Sequence, residues 1–479
     1  MAGRFLRLFR PIARGIPEIK PPERRVRFNE KLFWTALVLI IFLVMSEVPL
    51  YGVTTTALGE LAALRIIFAS SRGSLMELGI GPIVTAGLIL QLLVGSAMIE
   101  CDMNNSEDRS LFTSASKVFS IVLTGVQASA YIIGGMYGTL QGTVAIIVFL
   151  QLIAAGIIVL LLDELVQKGW GFGSGISLFI MAGVAQSLFW QSFAPVPAVG
   201  ESRSFGLFVA LAQTLSGGQP VSLLWLRENQ QNPSILGFVA TIVAFLIIIY
   251  MEGVRVELPL SYAGYKGFRS RYPIKLLYVS NLPVIFASAL FANVYFFSQL
   301  LWSMNGQPVP GKNFWLDLLG QYQTVTTGGS TQVESVGGLV YFVTAPRHYL
   351  EAIGAPAKSL GYLGILIVFC VVFSLTWLEV GGLGPSTVAQ QLVDSGMQVP
   401  GYRRSGKAIE SILNRYIPAV TVLGGVVVGL IAGVSDFFGV FGSGMGILLS
   451  IGIVYQYYET LMQERAAEVY PAFRKIFGG

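Results

Sequence analysis

Read only for apolar and polar positions, the chain is a series of long apolar runs at 32–51, 74–99, 116–138, 142–165, 172–192, 234–252, 274–301, 359–379, 412–434 and 440–462. Each approaches the roughly 20 residues a helix needs to cross the hydrocarbon core of a bilayer, so the pattern predicts ten transmembrane helices. The pattern also repeats itself. Phe172-Gly-Ser-Gly-Ile-Ser-Leu-Phe-Ile180 opens the fifth run, and a near copy, Phe441-Gly-Ser-Gly-Met-Gly-Ile-Leu-Leu449, opens the tenth. Gly81-Pro82-Ile83-Val84 and Leu282-Pro283-Val284-Ile285 echo one another early in the second and seventh. Two pairs in the same order predict an all-α membrane protein of two pseudo-symmetric inverted halves of five helices around a central pathway.

Between the runs lie an N-terminal segment (1–31), a tail (463–479) and four long connections. Those at 193–233 and 302–358 are polar and Gly/Gln/Pro-rich with short apolar pieces such as 205–212, and are expected to fold back on the membrane surface. Those at 253–273 and 380–411 carry basic residues. The first domain is therefore read as 32–192 and the second as 234–462, joined by 193–233. Near the N-terminus, Arg4-Phe-Leu-Arg-Leu-Phe-Arg10 fits either an amphipathic helix on a lipid surface or a disordered basic tail.

Composition removes a soluble alternative: 54% of residues are hydrophobic and 12% charged, against about 25% charged in a typical soluble domain. The net charge of +5 matters through its sidedness. Of 31 lysines and arginines, 24 fall on the face that carries both termini, which predicts cytosolic termini. The first 31 residues are basic and proline-interrupted, without a cleavable signal pattern, so the first span is expected to act as its own targeting signal. The two cysteines, Cys101 and Cys370, make no disulfide framework.

Candidate chemistry is sparse. There is no H-E-x-x-H, Walker loop or paired-cysteine metal spacing, and the one histidine, His348, lies in a connection. No catalytic, metal or cofactor site is expected. Glu47, Asp163, Glu164, Glu252, Glu379, Asp436 and Glu459 fall near span ends, whereas coupled carriers keep charge midway. The mid-span polar residues are uncharged: Thr85, Gln91, Gln127 and Asn293. Ile80 and Val84 share a helix face, as do Ile176 and Ile180, and the repeat pairs Val84 with Ile285 and Ile180 with Leu449. Ordinary helix packing accounts for these positions; around a central pathway they would form an apolar constriction that excludes ions by dewetting.

Leu75-Met-Glu-Leu-Gly-Ile-Gly-Pro-Ile-Val-Thr-Ala-Gly-Leu-Ile-Leu-Gln91 and Leu162-Asp-Glu-Leu-Val-Gln-Lys-Gly-Trp-Gly-Phe-Gly-Ser-Gly-Ile-Ser-Leu178 closely resemble the two signature regions of the SecY family of protein-conducting channels. Pro17-Glu-Ile, Tyr272-Pro-Ile-Lys-Leu276, Asn414-Arg-Tyr-Ile-Pro418 and Tyr455-Gln-Tyr457 extend the match, and read as its eukaryotic branch, the alpha subunits of the endoplasmic reticulum Sec translocon. The resemblance implies an hourglass pore whose ring is Ile80, Val84, Ile176, Ile180, Ile285 and Leu449. It implies a plug at 52–70, and a lateral gate between spans two and three and spans seven and eight with a polar cluster of Thr85, Gln127 and Asn293. It implies ribosome contacts, rRNA included, from Lys266, Arg269, Arg271 and Arg403. Gly264, where a basic residue is expected, and a second loop lengthened around Arg404 to Lys407 depart from the family pattern.

The expected function is that of a multi-pass pore subunit in the endoplasmic reticulum membrane, not an enzyme, passing secretory polypeptides and releasing hydrophobic segments into lipid. Expected partners are two small single-span subunits, beta and gamma, in a heterotrimer; the ribosome; nascent chains and their signal sequences; and, for post-translational transport, Sec accessory membrane proteins and a lumenal chaperone. The rival reading is a secondary transporter with a five-plus-five inverted repeat.

Overall fold

A backbone in lipid has no water to satisfy its N–H and C=O groups, so an apolar run must close its hydrogen bonds internally as a helix. In the computed structural model the first half does so as α1 (Phe28–Glu47), α2 (Gly81–Gly95), α3 (Ser106–Ile133), α4 (Gly142–Leu165) and α5 (Gly175–Phe193), with a π-helical turn at Val166–Trp170. A short α6 (Leu207–Ser216) lies in the connection to α7 (Ile235–Gly253). There follow β1 (Arg255–Tyr262), β2 (Arg269–Lys275), α8 (Leu282–Met304), α9 (Phe314–Leu319), β3 (Gln321–Thr327), β4 (Ser330–Gly337), α10 (Gly338–Val343) and α11 (Tyr349–Gly354). The chain ends with α12 (Pro356–Val380), α13 (Pro385–Asp394), β5 (Met397–Gln398), α14 (Gly406–Phe437) and α15 (Gly444–Val469). The structure describes the chain apart from residues 1–5, 7–8, 10, 12–14, 25, 54–69, 72, 96–97, 100, 102–104, 135–136, 138–139, 141, 199–200, 228–231, 263–268, 278, 280–281, 306–312, 328–329, 347, 396, 399–405 and 470–479.

Among the described residues, eight of the ten predicted spans form helices long and apolar enough to cross a membrane; the other two positions hold α2 and α15. The shortness of α2, 15 residues, has a local cause. Its predicted first turn is a run of turns at 73–80 in which the buried Glu77 carboxylate accepts the Gly73 N–H, and helix begins only at Gly81-Pro82, where proline's missing N–H costs nothing. α15 is apolar and buried over 444–453, then turns polar, with Gln456, Glu459 and Glu464 beyond.

The halves meet along one continuous apolar core that runs from Val38 and Phe42 of α1 to Leu449 and Ile453 of α15. Elsewhere the packing ties connections down. The described N-terminal residues Leu6 and Phe9 pack on Leu90 of α2 and on Leu111, Ala115 and Phe119 of α3, so protein covers this apolar face. Farther on, Glu18 meets Lys168 at 2.6 Å and Lys117 of α3 at 3.6 Å, and the Trp170 indole N–H donates to the Lys20 carbonyl. Hydrogen bonding from the Lys168 ammonium holds the Glu18 carboxyl below the usual carboxylate range. The Pro17-Glu-Ile motif is thus a strap between α3 and the π-helical turn that follows α4.

The connection between α5 and α7 closes around one cation. Arg227 is fully buried and gives a forked pair of hydrogen bonds to Glu201 (2.9 and 3.1 Å) and others to the carbonyls of Ser204 and Phe205. Its charge is shared among acceptors that bring residues 201, 204, 205 and 227 together. Replacing one partner of such a pair leaves a buried charge, at a cost of about 3–5 kcal/mol. Arg227→Ala is therefore expected to lower the thermal unfolding midpoint in detergent well below that of the Arg227→Ala, Glu201→Ala double variant, which leaves no uncompensated charge.

Candidate functional site

Two helices of the central pathway, α5 and α15, start deep in the protein, where their first N–H groups cannot reach water. Each half solves this in the same way. In the first, Asp163 at the end of α4 accepts from the Ile176 N–H (3.0 Å), and Thr35 Oγ1 of α1 accepts from Phe172 N–H (3.0 Å). In the second, Asp436 at the end of α14 accepts from the Gly444 N–H (2.6 Å), and Thr241 Oγ1 of α7 accepts from Phe441 N–H (2.9 Å). The repeated Phe-Gly-Ser-Gly is the turn that makes this possible. Gly173 and Gly442 sit at φ 69° and 77°, and a Cβ on Gly175 would come within 2.6 Å of Asp163 Cα. Tight helix starts, not a phosphate cradle, explain the glycines.

Tyrosines brace both turns. The Tyr457 hydroxyl reaches the carbonyls of Phe172 (3.0 Å) and Ser174 (2.9 Å), and the Tyr362 hydroxyl donates to Asp436 (3.0 Å). Tyr457 belongs to the second half and braces the first, which gives the Tyr455-Gln-Tyr457 motif its role.

The six ring candidates all fall in the one central apolar core. Ile80, Val84, Ile180, Ile285 and Leu449 are buried in it, and Ile176 packs against it partly exposed. They come from the start of α2, from α5, from α8 and from α15. Ile176 and Ile180 follow directly on the Asp163 cap, and Leu449 lies just over a turn after the Asp436 cap.

The gate candidates divide. Asn293 Nδ2 of α8 donates to Thr85 Oγ1 of α2 (3.1 Å), bridging the halves. Gln127 of α3 is half-buried and hydrogen-bonds neither of them. Instead α3 meets α8 through a Tyr131–Phe296 stack, centroids 5.0 Å apart, and a Ser303 hydroxyl donating to the Gly134 carbonyl (2.6 Å). Gln91 lies on the same seam, in an apolar enclosure lined by Leu88, Phe286, Phe373 and Trp377, where its carbonyl oxygen lacks a hydrogen-bond partner.

Nearly all of the plug stretch, 54–69, lies outside the described residues, but its two ends are stitched together. Leu50 N–H donates to Gly73 O (2.7 Å), Leu75 N–H to Val48 O (2.9 Å), and Pro49 bridges Ser74. Among the basic candidates, Lys266 and Arg403 lie outside the described residues, and Arg269 is placed by its backbone on β2 opposite Ser261. Arg271 is exposed and paired with Glu257 at 2.7 Å. The two basic connections join into one three-stranded sheet, order β2-β1-β5, where Ser261 and Tyr262 pair with Gln398 and Met397. Their described residues are largely sheet and helix. The residues that sequence reasoning missed are Thr35, Thr241 and Tyr362, single polar residues in apolar helices with no local signal beyond that isolation.

Comparison with known proteins follows this geometry. The SecY family model matches residues 74–458, and that of the plug domain of Sec61p matches 40–73. A solved protein-conducting channel is 36% identical at TM-score 0.80, over 96% of this chain and 98% of that one. Sec61 of a canine ribosome-channel complex from the endoplasmic reticulum is 34% identical at TM-score 0.77, over 96% and 98%. The idle yeast Ssh1 complex bound to the yeast 80S ribosome is 26% identical at TM-score 0.77, over 95% and 94%.

The caps make a quantitative prediction. Asp163→Ala or Asp436→Ala leaves a buried N–H unpaired, a loss of about 1–3 kcal/mol, whereas Asp436→Asn keeps an acceptor for Gly444 and a partner for Tyr362. Thermal unfolding in detergent should therefore rank Asn above Ala at position 436. Equal midpoints for the two variants would show that the cap does not stabilise the turn.

Proposed function

This chain belongs to the SecY family, and on that premise we propose that it is the pore-forming subunit of a protein translocation channel, a multi-pass protein of the endoplasmic reticulum membrane. The observation that carries the reading is the convergence of Ile80, Val84, Ile176, Ile180, Ile285 and Leu449 on one apolar core at the meeting of the two halves. A ring of branched apolar side chains dewets and so excludes ions, yet yields to a polypeptide by rotamer and helix movement. It does so without chemistry: the chain is a conduit, not an enzyme, and a partner supplies the energy.

Lateral release rests on the seam of α2 and α3 against α8 and α12. Thr85, Gln127 and Asn293 are its polar cluster, and an interhelical hydrogen bond such as Asn293 to Thr85 stabilises a membrane interface by only about 0.6 kcal/mol. A signal sequence can outweigh that. Apolar residues gain roughly 0.3–0.6 kcal/mol each at the bilayer centre, so ten leucine-like residues favour lipid by several kcal/mol, while one charge opposes by about 2.5–3.5 kcal/mol.

The chain associates with ribosomes in this reading, supported by its likeness to Sec61 and Ssh1 in ribosome-bound complexes. Lys266, Arg269, Arg271 and Arg403 are the proposed contacts with rRNA phosphates, and of these Arg269 and Arg271 are carried on the sheet that joins the two basic connections. We infer likewise that both termini are cytosolic, that residues 52–70 are the plug, that the halves are 32–192 and 234–462 about the 193–233 connection, and that the partners are beta and gamma subunits, nascent chains, Sec accessory membrane proteins and a lumenal chaperone. A secondary transporter would share the five-plus-five repeat, and no feature of the site favours it.

Two measurements test the reading. With Cys101 and Cys370 replaced, a cysteine at Ile180 or Leu449 should form a disulfide with a cysteine in a ribosome-arrested secretory chain, while one at lipid-facing Ile249 should not. Failure at both ring positions with the arrested chain engaged would return the ring to ordinary packing. Changing Lys266 and Arg403 together to Glu should weaken ribosome binding and flatten its salt dependence, since each lost phosphate contact removes released counterions. Unchanged binding would remove both residues from the interface.

A further inference from the structure

The two long connections on the face opposite the N-terminus, 193–233 and 302–358, expose more apolar surface than a water-facing loop should. On α9, Phe314 (74% exposed), Trp315 (76%) and Leu318 (55%) share one side of the helix. Around the 3-10 turn at Val221–Leu224, Leu223, Trp225 and Leu226 are each 40–49% exposed. Among the residues of the two long connections on the other face, 253–273 and 380–411, whose side chains are described (253–258, 271–273, 381–395, 407 and 409–411), the one comparably exposed large apolar side chain is Val256.

Both patches continue a lipid-facing stripe. On α8, Phe297, Leu301 and Met304 are exposed at spacings of four and three, and lead toward α9. On α5, Phe189, Trp190 and Phe193 are exposed and lead into 193–233. Tryptophan and phenylalanine at the end of a span are the side chains that settle at headgroup level, with an apolar ring inward and, for tryptophan, an N–H toward water. Of the three basic residues described here, Arg227 and Lys358 are committed inside the protein, to Glu201 and to Glu351 at 2.7 Å, and Arg203 donates to the Gln219 side-chain carbonyl, so little charge is offered to anionic headgroups.

We propose that these two connections are seated in the headgroup layer of the bilayer leaflet on that face, with Trp315 and Trp225 as anchors, and that the occupant of both patches is zwitterionic lipid. Apolar burial drives the contact, so it depends on neither anionic lipid nor salt. Because 302–358 joins α8 to α12, this seating holds one side of the gate seam to the leaflet. The inference needs only that the protein spans a membrane, and stands apart from what passes through it.

The test is site-directed spin labelling of the full chain in phosphatidylcholine proteoliposomes, with Cys101 and Cys370 replaced and a nitroxide at Trp315→Cys or Trp225→Cys. Leu318→Cys and Leu226→Cys duplicate each patch should a tryptophan variant fail to fold. Phe297→Cys on the lipid face of α8 and Arg271→Cys on the exposed hairpin are the references. The expected result is a ratio of oxygen to nickel-chelate accessibility several-fold above that at Arg271, approaching that at Phe297, and unchanged by salt or by added anionic lipid. A ratio matching Arg271 would place the patches in water. Low accessibility to both reagents would mean that protein covers them. Either outcome overturns the proposal.

Discussion

A helix that begins inside a membrane protein leaves N–H groups that no solvent can satisfy, and much of this structure is an answer to that constraint. The two helices carrying half of the proposed ring, α5 and α15, both begin this way. The answer takes a carboxylate from the preceding helix, a hydroxyl from the first helix of the same half, and a left-handed glycine between them. Asp163 and Asp436 are thereby buried at some desolvation cost, which hydrogen bonds from backbone amides offset. Once the helix start is fixed, so is the register of Ile176, Ile180 and Leu449, because residues one turn from a pinned end have little freedom to rotate.

Rigidity is distributed unevenly between the two sides of the core. Away from the gate seam, the halves are bolted by Tyr457 to the Phe172 turn and by Lys31 to Glu464 at 2.6 Å. At the seam they are joined by an amide to a hydroxyl, a hydroxyl to a carbonyl and one aromatic stack. Within the second half, α8 and α12 are zipped by Phe286 against Phe373 and Trp377 and by Phe291 against Phe369. The structure is therefore weakest where two rigid units abut without charge pairs. The unpaired carbonyl oxygen of Gln91 on that seam weakens it further.

Much of this was legible in the sequence, for identifiable reasons. Span number and the two-half repeat follow from apolar run lengths and from Phe172 to Gly175 recurring at Phe441 to Gly444, because lipid makes hydropathy a direct structural constraint. The six residues proposed for the ring, which share one apolar core, were reachable through the repeat and the family resemblance together. What stayed hidden was mostly non-local. Thr35 meets a residue 137 positions away and Thr241 one 200 away, so neither carries a neighbouring cue. Pairing of β1 with β5 joins strands separated by more than a hundred residues and six helices. The shortness of α2 is a competition that hydropathy does not see: residues 74–80 are apolar enough for helix, but the Glu77 turn takes them first.

The basic connections and the N-terminal segment are each tied to one half, which limits how a partner can act. The sheet rests on Leu378 of α12, Val388, Ala389 and Leu392 of α13, and Ile409, Leu413 and Ile417 of α14. Through Lys275 it also reaches Glu459 at 3.2 Å and the Tyr455 ring at 4.9 Å on α15. All of these belong to the second half. The N-terminal segment instead grips α2, α3 and the turn after α4 through Leu6, Phe9 and Glu18, all of the first. A ligand shifts a conformational equilibrium only by its difference in affinity for the two states. A partner that touched the sheet alone would carry the second half as one body and see the same surface whether the seam were open or shut. To open the seam it must also contact the first half, and on this face the strap between α3 and the turn after α4 is one place where the first half presents itself.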